Sequence, residues 1–329
     1  MELRDIEYFG VVAEHKHLGR AAEALGLSVP AVSKSLRRLE AATEARLVKR
    51  TAKGVELTAE GAALLAHVRG LRVSLRDITR ELADLRQGRA GDIRVCAGPA
   101  QAEYLLPFAC SRLYASGASV TVTTMVGSRD VWLPALLQGD LDLVITDPAL
   151  ATDSGLVQEA LYNDCLVVTA ALDHPLAARS ELTMADLVGE RWALPNRRLH
   201  GQLCEMFQQR QLPLPPLALL YNSVLLGVRT VSMSRLLGIL GVPRSFTLFG
   251  EARSRLAVLP VSDLDWKRSF SVVYRRSAYL SPAVRRLIHE LKAVAAIPPD
   301  LPSDCSPAVR KVLERPRPFA TAPQRTTES

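Results

Sequence analysis

The chain has 329 residues, 48% of them hydrophobic and 23% charged, with a formal net charge of +7. That length exceeds what one hydrophobic core usually organises, so two or three domains are expected. No apolar run approaches the ~20 residues of a membrane span. The charged start Met-Glu-Leu-Arg-Asp enters a helical pattern directly, so no signal peptide is expected.

The five cysteines (Cys96, Cys110, Cys165, Cys204, Cys305) are widely scattered and contain no CxxC pair, which suits a reducing cytoplasm and no membrane partner. The charge is concentrated. Between Lys16 and Lys53 nine basic residues face only three acidic ones, a placement that suits a polyanion. On charge alone, a solvated basic face without a partner remains open.

In chain order, Leu3, Ile6, Phe9 and Ala13 recur at helical spacing. A short second helix carries Leu18, Ala21, Ala22 and Leu25, and Gly26 can take the positive φ that ends it. Ser28 stands where an N-cap belongs and Pro30 lies in the first turn, opening a third helix to about Ala41. Its buried stripe is Val32, Leu36 and Leu39, which leaves Val29, Pro30, Ser33, Lys34, Arg37 and Arg38 on or near the outer side. Small Ala21 and Ala22 let two helices cross closely while the third presents its N-terminal residues to a major groove. Ser33 can bond a base edge or a phosphate, and Lys34 can reach guanine or the backbone. A basic hairpin follows, with Lys49, Arg50 and Lys53 around the turn Lys53-Gly54 and alternating Val55 and Leu57. It reads as a wing that contacts phosphates or the minor groove of double-stranded DNA. The competing reading is a three-helix module that binds protein.

The run Ala21-Ala22-Glu23-Ala24-Leu25, then Ser28-Val29-Pro30-Ala31-Val32-Ser33-Lys34-Ser35-Leu36-Arg37-Arg38-Leu39-Glu40, resembles the DNA-binding domain of the LysR-type transcriptional regulators. Arg46-Leu47-Val48-Lys49-Arg50 and Leu57-Thr58-Ala59-Glu60-Gly61 extend the resemblance over roughly residues 1–65. Two positions depart from the family pattern. Val29 replaces a usual Gln, so reading there is limited to an apolar contact such as a thymine methyl. Val48 replaces a usual Phe.

Thr58 can cap a further helix, with Glu60 in its first turn. From there Leu64, Val68, Leu71, Leu75, Ile78, Leu82 and Leu85 recur at alternating steps of 4 and 3, the seam of a coiled coil. Arg69, Arg72, Arg76, Asp77, Arg80, Glu81 and Asp84 lie between them as a solvated surface, and Gly88 and Gly91 end the helix. A homodimer would hide this stripe and pair two recognition helices. The alternative is that the helix packs on its own chain's C-terminal domain.

Beyond Gly91, short strands alternate with helices: Ile93–Val95, Tyr104–Leu113, Ser119–Thr124, Trp132–Gln138 and Leu141–Ile145. A second alternation follows through Cys165–Ala170, Trp192–Leu194, Gln202–Gln211, Leu217–Leu220, and strands near Leu236–Leu240 and Leu256–Leu259. This implies βαβ units and a parallel sheet. By family resemblance the final strand Phe270–Tyr274 and helix Pro282–Val294 return to the first lobe, forming two lobes similar to periplasmic binding proteins. The cleft at the strand C-terminal ends then nominates the loops Pro99-Ala100-Gln101, Gly127-Ser128-Arg129 and Thr146-Asp147, with His200 and Gln202 as a wall from the second lobe. The resemblance places Ser128 at a hydroxyl position often used for carboxylate effectors and Pro99 where many members carry Ser or Thr. Asp147, if it lines the cleft, would repel an anion.

The fold expected is therefore α/β with an all-α-type winged helix-turn-helix at the N-terminus (1–58), a coiled-coil linker helix (59–90) and a two-lobed domain (91–297). Lobe I comprises 91–164 and 267–297, lobe II 165–266, and the Pro-rich stretch 298–329 reads as a disordered tail. The resemblance implies a dimer or tetramer that binds a dyad-symmetric promoter site, contacts RNA polymerase and senses a small-molecule effector. No cofactor and no metal are expected: His15, His17, His67, His174, His200 and His289 make no metal spacing, and GxSxG, P-loop and GxGxxG motifs are absent. His174-Pro175-Leu176-Ala177 matches a structural string of the family. Cys204 lacks a resolving partner for peroxide sensing. Two rivals stand beside this reading. One is a solute-binding or catalytic α/β protein with an incidental basic N-terminus; the other is a regulator that needs no effector.

Overall fold

The computed structural model describes residues 2–51, 54–87, 91–147, 155–242, 255–264 and 266–297. Lys53 and the stretch 298–329 lie outside the described residues. The chain divides into two units, residues 1–88 and 89–329.

The first unit opens with α1 (Leu3–His15), α2 (Leu18–Leu25) and α3 (Val29–Thr43). Gly26 ends α2 at φ +63°, as its position implies, and the Ser28 hydroxyl accepts from the Ala31 amide at 3.3 Å to start α3. The α2 cap was not legible: the His17 imidazole Nδ1 accepts from the Gly19 amide at 3.0 Å and the Arg20 amide at 3.4 Å. A hairpin of β1 (Val48–Thr51) and β2 (Gly54–Leu57) follows, in antiparallel register with Val48 opposite Leu57. It is tied inward because the Glu40 carboxylate accepts from the Leu47 amide at 2.9 Å and the Val55 amide donates to the Lys16 carbonyl at 2.8 Å. Gly54, at φ +131°, is needed there, since a Cβ would lie 2.4 Å from that same Lys16 oxygen.

Helix α4 (Ala59–Gln87) has 29 residues, a span of about 43 Å at 1.5 Å per residue. The Thr58 hydroxyl accepts from the Gly61 amide at 3.0 Å. A Cβ on Gly61 would stand 2.0 Å from the Leu47 carbonyl oxygen, so the helix approaches the hairpin through a bare backbone. The N-terminal core joins Phe9, Val12, Ala21, Val32, Leu36, Leu39 and Leu47 to Leu65 and Val68 of α4.

In the second unit β3 (Gly91–Ala97), β4 (Val120–Val126) and β5 (Leu143–Thr146) run parallel with β3 central. Between them come α5 (Pro99–Glu103), α6 (Leu105–Ala115) and α7 (Arg129–Leu137). The strand β6 (Leu156–Ala171) then leads to β7 (Trp192–Leu194), α8 (Arg197–Gln209), β8 (Leu217–Leu220), α9 (Val224–Ser232), β9 (Leu237–Val242) and β10 (Leu256–Val258). The chain returns through β11 (Lys267–Arg275) to α10 (Pro282–Ala296). The strand order is β4-β3-β5-β11-β6-β9-β7-β8, with β10 also on β6, so the sheet is mixed rather than wholly parallel.

Two strands join the lobes. The first part of β6 pairs antiparallel with β11, and its later part pairs with β9 and β10. The register of β11 on β6 shifts between Phe270 and Ser271, leaving Leu161 of β6 as the extra residue of a bulge inside the lobe I core, a few residues short of the crossing. Lobe I packs Leu105, Ala109, Leu113, Leu287 and Leu291 on one face of its sheet and Trp132 and Leu136 on the other. Lobe II centres on Trp192, Leu199, Leu203 and Phe207.

Candidate functional site

The third helix of the first unit exposes Val29, Pro30, Lys34, Arg37 and Arg38. Two residues expected to face outward there have internal work. Ser33 is buried, and its hydroxyl accepts from Arg50 Nη2 at 2.7 Å, so a wing arginine is braced on the recognition helix. Arg38 is half-exposed, but its guanidinium clasps the buried Asp5 carboxylate of α1, with Nη2 at 2.6 Å and Nε at 3.2 Å. Ser35 donates a further bond to the same carboxylate. The Arg38 hydrogen bond outweighs burial and holds Asp5 below the usual carboxylate range. Helical periodicity assigned faces but could not see that an acid from another helix lies against Arg38. The outward set thus reduces to Val29, Pro30, Lys34 and Arg37, beside exposed Lys49 and Arg50 of the wing.

The seam of α4 divides in two. Val68 is buried in the N-terminal core and Leu64 packs against it, so this first stretch serves the winged domain rather than a free face. Leu71, Leu75, Ile78, Leu82 and Leu85 are 36%, 36%, 52%, 56% and 76% exposed. An apolar row of that length in water is a surface awaiting cover. Arg72, expected to be solvated, instead reaches α1, with Nη1 on Glu14 at 2.7 Å and Nη2 donating to the Glu7 carbonyl at 3.0 Å.

In the second unit, Ala100 and Asp147 of the nominated residues contact the other lobe, while Ser128 bonds within its own loop. Pro99, Ala100 and Gln101 are not a loop; they form the first turns of α5. Gln101 is buried, and its Nε2 donates to the Tyr162 hydroxyl at 3.1 Å. Ala100 packs against the lobe II cluster of Tyr221, Val224 and Val228. Ser128 caps α7 and donates its hydroxyl proton to Asp130, while Arg129 is exposed. Thr146 is buried in β5 opposite Ser271.

Asp147 does not stand alone to repel anions: Arg198 of α8 reaches it from the other lobe at 3.1 Å. His200 is half-buried in α8. Its imidazole is engaged within lobe II, 3.2 Å from the Pro215 carbonyl and 3.5 Å from Cys204 Sγ. Gln202 is half-buried, and its Oε1 has no hydrogen-bond partner among the described residues.

Sequence reasoning missed the floor of this region. Arg268 of β11 meets the Asp164 carboxylate of β6 through two bonds, at 2.8 and 2.6 Å, and lies 5.0 Å over the Phe270 ring. Burial works against its charge, but Asp164 more than offsets this and raises the Arg268 pKa. Tyr221 is buried beside this group, and desolvation pushes its phenol upward. Asp164 and Arg268 sit on the two crossing strands, where charge broke the apolar pattern that marks a strand.

Burial pushes the Cys204 thiol pKa up, the opposite direction from that of a reactive sulfur. Among the described residues, no helix is long and apolar enough to cross a membrane.

A family model for the bacterial regulatory helix-turn-helix proteins of the lysR family matches residues 3–62, and one for the LysR substrate binding domain matches residues 86–296. The chain belongs to the LysR family. It is similar to the transcriptional dual regulator OxyR of Escherichia coli, 27% identical over 192 residues, a match covering 58% of this chain and 62% of that protein. It is also similar to the regulator CbbR of Rhodospirillum rubrum, 28% identical over 303 residues, covering 89% of this chain and 96% of CbbR. Among solved structures, full-length LysG of Corynebacterium glutamicum with bound effector Arg shares the LysR fold at a TM-score of 0.62 and 16% identity, covering 90% of this chain and 98% of LysG.

Proposed function

We propose that this protein is a ligand-responsive transcriptional regulator that binds double-stranded DNA as a homo-oligomer in the cytoplasm. The observation that carries the reading is the outer face of α3. Lys34 and Arg37 stand exposed beside the apolar pair Val29 and Pro30, next to a wing whose Arg50 is fixed on Ser33. That is the arrangement by which a recognition helix reads base edges while a wing holds phosphates. The exposed row Leu71 to Leu85 supports a dimer through α4, which pairs two such helices on a dyad-symmetric site; further association gives a tetramer. The region where the lobes meet, lined by Ala100, Gln101, Asp147, Arg198 and Arg268, is the site for a small effector. Lobe movement there changes the spacing of the DNA-binding domains and contact with RNA polymerase. The protein performs no catalysis and needs no cofactor in this reading.

A salt titration against a pool of genomic DNA fragments, with the bound fragments sequenced, tests it. Steep loss of binding with salt and enrichment of one dyad-symmetric motif are expected. Weak binding with no shared motif overturns the reading.

A further inference from the structure

Besides the crossing strands, polar contacts among the described residues tie lobe I to lobe II, and two of them stand out. In the first, the Glu103 carboxylate at the end of α5 accepts from the Val224 amide at 3.0 Å and the Ser223 hydroxyl at 3.4 Å, at the start of α9. This anchor is reinforced by packing: Ala100, one turn earlier, sits on the cluster of Tyr221, Val224 and Val228. In the second, Arg198 in the first turn of α8 reaches Asp147 at the end of β5. The two contacts differ in kind. The Glu103 contact adds a carboxylate to the positive end of a helix above an apolar cluster. The Arg198 contact is an ion pair whose arginine is 40% exposed and whose aspartate is 17% exposed.

We propose that Arg198 and Asp147 form a releasable latch between the lobes, while Glu103 and Ala100 mark the side about which the domain turns. This rests on the effector reading given above and names the regulation of that site. The geometry of the strands supports such a motion. The register shift opposite Phe270 and Ser271 leaves Leu161 of β6 as an extra residue on one of the two strands joining the lobes, so bending there spares the ladders on either side. Release is cheap for both partners. Arg198 already faces water with much of its side chain, and Asp147 lies in the field of Arg268 when Arg198 leaves. The two lobes therefore stay closed through the chain's own opposite charges, and anything that draws either partner away shifts the balance toward the open form.

The test uses the full chain with spin labels on unnatural residues at exposed Ser111 of lobe I and Val188 of lobe II, and reads their distance distribution by pulsed electron resonance. Asp147→Asn and Arg198→Gln should each lower the ratio of short to long distances by roughly 1.5-fold to fivefold, the range of a partly exposed ion pair. The double variant should open no further than either single one, because both remove the same contact. Arg197→Gln, one residue away, should leave the distribution as it is. Distances unchanged in both single variants, or additive opening in the double variant, overturn the latch. DNA binding by the same preparations separates the two levels. An unchanged distance with salt-sensitive, motif-specific binding overturns the latch alone, whereas loss of specific binding in the unsubstituted chain overturns the reading on which it rests.

Discussion

Replacing Ile78 and Leu82 by lysine should convert the protein to monomers at micromolar concentration without unfolding it. Each side chain is about half exposed in the single chain, at 52% and 56%. Covering the remainder in a dimer recovers about half of the ~1.5–3 kcal/mol that full burial of an aliphatic side chain provides, or about 1 kcal/mol apiece. Two such residues on each of two protomers amount to about 4 kcal/mol, which is close to a thousandfold in the dimer dissociation constant. Lysine also places like charges across the seam, so this figure is a lower bound. Sedimentation velocity over a range of concentrations measures the shift, and thermal unfolding checks that the winged domain survives. The winged core draws on Leu65 and Val68, about three to four turns upstream of Ile78, and neither is altered. A variant that dimerises as tightly as the parent would refute α4 as the interface.

Lys34→Ala should weaken DNA binding and reduce the slope of log affinity against log salt by about 1, with no change in melting temperature. Arg38→Ala should behave differently, lowering the melting temperature because it strips the buried Asp5 of its principal partner. Asp5 also sets an acid limit. Its folded pKa lies below its unfolded value, so its contribution is fully present above about pH 4 and is lost as pH falls through the depressed value. Asp5→Asn should therefore flatten the acid limb of stability measured by circular dichroism against pH; an unchanged limb would count against the clasp. Gly227→Ala would place a Cβ 2.2 Å from the Tyr221 ring, so α9 or the ring must shift. A loss of about 1–3 kcal/mol in denaturant unfolding is expected, as for an overpacked core.

The N-terminal domain was legible because its signals are local. A helix stop at Gly26, a cap at Ser28 and a stripe of Val32, Leu36 and Leu39 each depend on residues a few positions apart, and all three appear in the structure. The heptad of α4 was equally plain, since a period repeated over a long helix needs no knowledge of what lies opposite. The two-lobe division came from the family resemblance, and the C-terminal alternation recovered only Cys165–Ala170 of β6, whose observed span begins at Leu156. Glu159 and Asp164 interrupt the apolar pattern there. Their charges are tolerated because Lys292 and Tyr274 meet the first and Arg268 meets the second, from elements more than 100 residues away.

Sequence by itself therefore determined the helices of the winged domain and linker, their apolar faces and which family the chain resembles, because periodicity and capping are short-range. Helices α5 and α9 appeared only in the structure. Tertiary structure alone decided what the charged residues do. Arg38 and Arg37 are neighbours on one exposed helical face, yet only Arg38 meets Asp5. Ser33 supports a wing arginine, Arg72 fastens α4 to α1, and Asp147 faces an arginine from the other lobe. An ion pair is set by where distant backbone segments come to rest, and a residue's own neighbours in the chain carry no record of that meeting.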